Sequence, residues 1–272
     1  MKSLKDFLVG AECADRKCDS TASSASASGA GSGKVKVYNL IILDRSGSMS
    51  CLRESAVSGF NETLSGIRKA QEQYSATQDQ FVSLVTFCSC TMDTVYDTVP
   101  VADVRPLTLD DYVPCCCTPL FDAMGFSLTK LDKTVGDDKS AVVMVTVITD
   151  GMENDSREYD GRRIVKLVER LKGKGWIFTY MGANQDVEAV ARSLSIDHAA
   201  AFNYDAEGMR GTMRRDGHMR MNVFARIDNI CYNMRPDSDA DMEMMLAELE
   251  KTAGQAFDEY DAGDDEPQDK GK

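Results

Sequence analysis

Histidine is nearly missing from this sequence, with only His198 and His218 among 272 residues. Both lie outside the polar runs described below, so no nucleophile–base pair with a third orienting group can be assembled from the sequence. His198 reads as the start of a strand and His218 as an exposed position on a basic helix. Long apolar runs are also lacking, and none approaches the roughly 18 residues of a membrane span. The first eleven residues offer only Phe7 to Gly10 as an apolar stretch, too short for a secretion signal, so the expected location is cytoplasmic. Net positive charge is absent too: 31 basic against 44 acidic residues leave −13. An acidic surface repels nucleic acid and anionic membrane, and neither is expected as a partner. Nine cysteines lack the paired C-x-x-C spacing of zinc sites and read as reduced, mostly small buried residues.

The acidity belongs to one end. Residues 237–272 hold thirteen acidic and three basic residues, a charge of −10, which leaves −3 for the rest of the chain. Hydrophobic residues make up 43% of the whole, an ordinary globular share. Residues 20–33 contain only Ser, Thr, Ala and Gly and read as a flexible linker. Their end, Gly33-Lys34, invites a phosphate-loop reading. It fails because Ser28 stands where a glycine is required, Val35 replaces the hydroxyl residue and no strand precedes it.

From Val35 onward apolar runs alternate with helical periods. Residues 37–43 form a short continuous apolar run, the mark of a strand covered on both faces. Val57, Phe60, Leu64, Ile67 and Tyr74 then recur at helical spacing. Residues 81–87 and 94–99 predict a hairpin, 120–131 a helix and 141–149 the most apolar strand. Ile164, Leu167, Val168 and Leu171 mark a helix ended by Gly173 and Gly175; 176–181 is a fifth strand, 187–194 a short helix, and 199–202 a weak sixth strand followed by helix-like sequence to Met234. Such alternation predicts right-handed crossovers and an α/β domain, doubly wound, with a mostly parallel six-stranded sheet, helices on both faces and an antiparallel strand near one edge. The expected division is a disordered segment and linker over 1–33, the domain with its helical extension over 34–236, and an acidic helix and tail over 237–272. Ser238 or Asp239 could cap that last helix, in which Met242, Met245, Leu246 and Leu249 share a face, and disorder is expected from Gly254.

Strand ends carry the chemistry. The first strand stops at Asp44-Arg45-Ser46-Gly47-Ser48 just ahead of a helix, the apolar 141–149 strand stops at Asp150-Gly151, and Thr118-Pro119-Leu120 opens another helix. In a doubly wound sheet, ligands lie outside the carboxyl ends of strands where the strand order reverses. Three hydroxyls (Ser46, Ser48, Thr118) and two carboxylates (Asp44, Asp150) form an all-oxygen set that suits Mg²⁺, with Mn²⁺ as a substitute. Gly47 lets the backbone fold tightly between the serines. This set resembles the metal-ion-dependent adhesion site of von Willebrand factor A domains, over roughly residues 35–203. The resemblance implies that the hydroxyls ligate the metal directly, that the aspartates act directly or through water, and that a carboxylate from a protein partner completes the shell. The run Phe178-Thr179-Tyr180-Met181-Gly182-Ala183-Asn184-Gln185-Asp186 also looks like bacterial cytoplasmic members, including those associated with tellurium resistance.

Glu153 and Asn154 are expected as outer partners of the site, and Arg45 as solvated. The family usually has a small residue before the threonine, whereas Cys115, Cys116 and Cys117 precede Thr118 here. Cys88 and Cys90 end the second strand, and thiolates there would suit a soft metal, but the plainer reading is small loop residues. Arg210, Arg214, Arg215 and Arg220 read as a solvated helix face, with binding phosphate or holding the acidic tail as the alternatives. The expected function is metal-dependent recognition of a protein presenting Asp or Glu, without catalysis. The alternatives are a Mg²⁺-dependent phosphoester hydrolase and an assembly subunit whose metal is structural.

Overall fold

Strand β1, Val35–Asp44, is buried at every position except Lys36 because it runs through the middle of a six-stranded sheet. The computed structural model describes residues 34–183, 186–233, 236 and 238–260. The expectations for 1–33 and for 261–272 fall outside them. On one side of β1 lies β2 (Gln78–Cys88), parallel to it, followed by the antiparallel edge strand β3 (Thr91–Pro100). On the other side lie β4 (Ala141–Thr149), β5 (Ile177–Ala183) and β6 (His198–Phe202), all parallel. The order β3-β2-β1-β4-β5-β6 means that the chain builds outward from β1, then returns to its other flank. The direction of winding therefore reverses between β1 and β4. The expected doubly wound α/β architecture is what forms.

Alternation along β1 sends Val37, Ile41 and Leu43 into one core and Tyr38, Leu40 and Ile42 into the other. The first core is closed by helices α1 (Arg53–Gln73), α5 (Ala206–Asn233) and α6 (Asp239–Asp258). The second is closed by α2 (Leu120–Val135), α3 (Gly161–Lys172) and α4 (Val187–Ser193). Helices α1 and α5 approach closely: a Cβ on Gly59 would stand 2.1 Å from the Met213 sulfur. Among the described residues no helix is long and apolar enough to cross a membrane.

Two expectations are overturned here. Disorder does not begin at Gly254, because α6 continues to Asp258 with Ala256 and Phe257 buried. The Arg215 guanidinium lies 4.1 Å from the Phe257 ring centroid, and its Nε donates to the Phe257 carbonyl at 2.5 Å. Ser238 is the cap of α6, its hydroxyl accepting from the Asp241 N–H while the Asp241 carboxylate accepts from the Ser238 N–H. Nor is Arg220 solvated: it is 1% exposed. Its guanidinium donates to Asp216 at 2.7 Å, Asn39 at 2.7 Å and Thr146 at 2.5 Å. Thr146 in turn donates to Asp216 at 2.9 Å, so the buried charges are paired and their hydrogen bonds shared.

Candidate metal centre

The carboxyl ends of β1 and β4 are adjacent, with Leu43 opposite Ile148. Asp44 and Thr149 therefore meet where the winding reverses. The Asp44 carboxylate is fully buried and held from two sides. One oxygen accepts from the Ser46 N–H at 2.7 Å, the other from the Thr149 hydroxyl at 2.6 Å. The hydroxyl of buried Tyr112 donates to the Asp44 carbonyl. A 3₁₀ turn over Gly47–Leu52 brings the Ser46 and Ser48 hydroxyls to 3.1 Å, and Ser48 donates to Asp150 Oδ1 at 2.7 Å. Thr118 lies against the residue that follows Asp150: a Cβ on Gly151 would lie 3.1 Å from its hydroxyl oxygen. All five residues singled out in the sequence thus converge on one rim.

The loop before α2 is fixed by its backbone. The Cys115 N–H donates to the Arg45 carbonyl at 2.8 Å, the Gly47 N–H to the Cys116 carbonyl at 2.9 Å and the Ser89 N–H to the Cys117 carbonyl at 3.1 Å. Cys116 adopts a φ of 61°, a left-handed conformation that side-chain-bearing residues avoid unless their surroundings impose it. Gly47, by contrast, is not among the residues with positive φ; its role is close approach, since a Cβ there would stand 3.4 Å from the Cys116 carbonyl oxygen.

Asn154 and Glu153 serve the same loop as outer partners. Asn154 Oδ1 accepts from the Thr118 N–H at 2.8 Å, and Glu153 accepts from the Phe121 N–H at 2.8 Å. Sequence reasoning missed Asp122, whose buried carboxylate accepts three backbone N–H groups, from Arg157, Glu158 and Tyr159. It ties the segment after β4 to the first turn of α2. Tyr112, Thr149 and Tyr204 were missed as well, the last donating to the Ser48 carbonyl. Their signal is too weak to find in advance, since each is an ordinary residue made relevant by long-range contact. Arg45 is not solvated: its side chain is 11% exposed and pairs with Asp93 at 2.9 Å.

The two carboxyls of the rim are both shifted by burial. Burial pushes the Asp44 carboxyl up to about 6 against the hydrogen bonds from Thr149 and Ser46, and nearby Asp150 adds repulsion. Burial raises Asp150 as well, opposed by Ser48 and Tyr204. Asp150 Oδ2 is buried and accepts no hydrogen bond. Two carboxylates, one of them with an unpartnered oxygen, and three hydroxyls make an all-oxygen set of the kind that could hold a hard divalent ion.

Beside this rim lies a second group of side chains. Cys88, at the end of β2, has its sulfur 3.3 Å from that of Cys115, and Cys90 in the hairpin turn lies 2.7 Å from Cys116. Burial pushes the Cys88 thiol up, but hydrogen bonds from the Cys115 thiol and from the Cys90 and Thr91 N–H groups outweigh it and lower its pKa. Cys115, hydrogen-bonded to Cys88, is pushed up to about 12.

No family model matches the chain, and no curated protein matches it in sequence. Solved structures do match in fold. A pilus adhesin, SpaC of Lactobacillus rhamnosus GG, is 13% identical at a TM-score of 0.52, over 71% of this chain and 31% of the adhesin. The present chain thus spans about a third of that protein's length. Manganese-loaded TRAP protein of Plasmodium vivax is 14% identical at a TM-score of 0.41, over 64% of this chain and 70% of that one. The VWA domain of SpRpn10 is 8% identical at 0.44, over 65% and 93%. At 13% identity the adhesin match bears on the fold alone.

Proposed function

We propose that this chain is a von Willebrand factor A-type interaction module that holds one Mg²⁺, replaceable by Mn²⁺, on Asp44, Ser46, Ser48, Thr118 and Asp150. The observation that carries the reading is the buried, unpartnered Asp150 Oδ2 at the point where the sheet reverses, on a carboxylate whose other oxygen accepts from Ser48. When bound, the ion supplies an electrophilic position that a carboxylate from a protein partner, Asp or Glu, can fill. The chain's own residues do the rest. Asp44 and Asp150 lend charge, Thr149 and the Ser46 N–H aim Asp44, and Asn154 and Glu153 hold the loop that presents Thr118.

We read the centre as a binding site and not a catalytic one. His198 packs against Phe257 and His218 against Tyr260, so neither histidine stands as a base over the rim. The likeness of residues 178–186 to cytoplasmic proteins associated with tellurium resistance supports a cytoplasmic setting. Calorimetry tests the metal: wild-type protein should bind one Mg²⁺ and Asp44→Ala none, and an Asp44→Ala protein that binds like wild type would sink the assignment. Capture from native lysate tests the partner. The captured protein should be lost both in EDTA and with Asp44→Ala, whereas equal capture in EDTA and in Mg²⁺ would make any ion structural. Turnover of generic phosphoesters that requires Mg²⁺ would overturn the non-catalytic reading.

A further inference from the structure

The cysteines around the Thr118 loop are scattered in sequence and gathered in space. Two come from the β2–β3 hairpin and two from the loop before α2, 26 and 27 positions further on. The sulfurs of Cys90, Cys115 and Cys116 all lie within 4.8 Å of one another, and Cys88 stands 3.3 Å from Cys115. None is bonded to another: all four are free thiols, and the 2.7 Å and 3.3 Å separations exceed the roughly 2.05 Å of a disulfide. At a Zn–S distance of about 2.3 Å, the sulfurs of a tetrahedral site lie about 3.8 Å apart, so small side-chain movements separate Cys90, Cys115 and Cys116 from such a shell, and Cys88 would have to turn further toward them from its place beside Cys115.

We propose that Cys90, Cys115 and Cys116, completed by Cys88, form a second metal centre, a four-thiolate site for one soft divalent ion of the Zn²⁺ class.

The chemistry separates it from the neighbouring rim. Thiolates select soft ions, whereas carboxylates and hydroxyls suit Mg²⁺ and Mn²⁺, so each centre takes its own metal. Cys90 and Cys116 are exposed, which gives the ion a path in, while Cys88 is buried at the inner side. The left-handed φ of 61° at Cys116 falls within the cluster, where strain persists only if the surroundings impose it. One ion there would pin the hairpin tip to the Thr118 loop, adding to the backbone bonds that already fix that loop and supplying no ligand to the oxygen rim. It would act on partner binding only by holding Thr118 in place.

Cobalt is the probe. Full-length protein, purified reduced and freed of metal, is titrated with Co²⁺ and read by its absorption. One equivalent should produce sulfur-to-cobalt charge-transfer bands and the intense d–d bands of a tetrahedral thiolate site, both displaced by Zn²⁺. Asp44→Ala should keep these bands, which separates this centre from the Mg²⁺ rim. The double variant Cys90→Ser with Cys116→Ser should lose them while retaining its circular dichroism and Mg²⁺ binding. The proposal is overturned if no thiolate–cobalt bands form in wild-type protein or if they survive in the double variant. It is equally overturned if anaerobically purified chain carries a Cys90–Cys116 disulfide and no zinc.

Discussion

At the scale of single residues, Asp44 does the most with the least freedom. Burial raises its carboxyl from 3.8 to about 6. The folded state therefore binds the proton more tightly than the unfolded chain does. Ionising Asp44 costs stability as pH rises through the window from about 4 to about 6, and protonation at lower pH relieves that cost. A cation at the rim competes with this same proton. Mg²⁺ affinity should be flat above pH 6 and fall about tenfold per pH unit below it, a profile calorimetry at several pH values can trace. An affinity independent of pH between 4.5 and 6 would remove Asp44 from the shell. Thr118→Ala should weaken partner binding with little change in melting temperature, because its backbone bonds to Asn154 survive the substitution.

Arg220 shows what a sequence hides at this scale. Its partners Asn39 and Thr146 lie 181 and 74 positions away, and each sits singly within an apolar strand where it reads as a blemish. Asp216→Ala should leave a buried guanidinium without its counter-charge and cost about 3–5 kcal/mol in urea denaturation. Replacing both Arg220 and Asp216 with apolar residues of similar size should recover most of that loss. Equal losses in the single and double variants would show that the charge pair is not what matters. The placement of the five rim residues at strand and helix ends, by contrast, was legible. Their spacing is local in Asp44–Ser48, and each remaining one marks the end of a strand or the start of a helix.

At the scale of elements, period and composition located all six strands and the helices between them. What they missed was the end of α6. The apolar stripe Met242, Met245, Leu249 continues through Ala253 and Phe257, but one small and one aromatic residue among acids carry little weight before Arg215 is seen to cover the ring. Phe257→Ala should destabilise by about 3–5 kcal/mol, the usual cost of removing a buried aromatic ring. A chain ending at Ala253 should melt several degrees lower than one ending at Tyr260, since each kcal/mol lowers the midpoint of a domain this size by about 2–4 °C. Equal midpoints would show that Phe257 packs without stabilising. The edge strand β3 was also legible, and its Asp93, Asp97 and Pro100 discourage pairing with another chain.

At the scale of the whole molecule, the reversal between β1 and β4 sets where everything else can happen. It places the oxygen rim and the thiol cluster on the same edge of the sheet. A cavity of about 720 Å³, lined in part by Val135, Trp176, Met242 and Leu246, lies instead at the end where β4 and β5 begin. Because an ion that binds only the folded state stabilises it by mass action, Mg²⁺ at a hundred times its dissociation constant should add about 2.7 kcal/mol. Differential scanning calorimetry should show the gain in wild type and none in Asp44→Ala. The strand order has one more consequence, for the order in which the protein is made. Asp44 and Thr149 are 105 positions apart, and Ser48 and Asp150 are 102. During synthesis β1, β2 and β3 emerge and can pair while Thr118 and Asp150 of the rim have yet to be translated. On the proposed reading, a nascent or prematurely terminated chain lacks the complete rim, which is assembled only when β4 leaves the ribosome and docks beside β1.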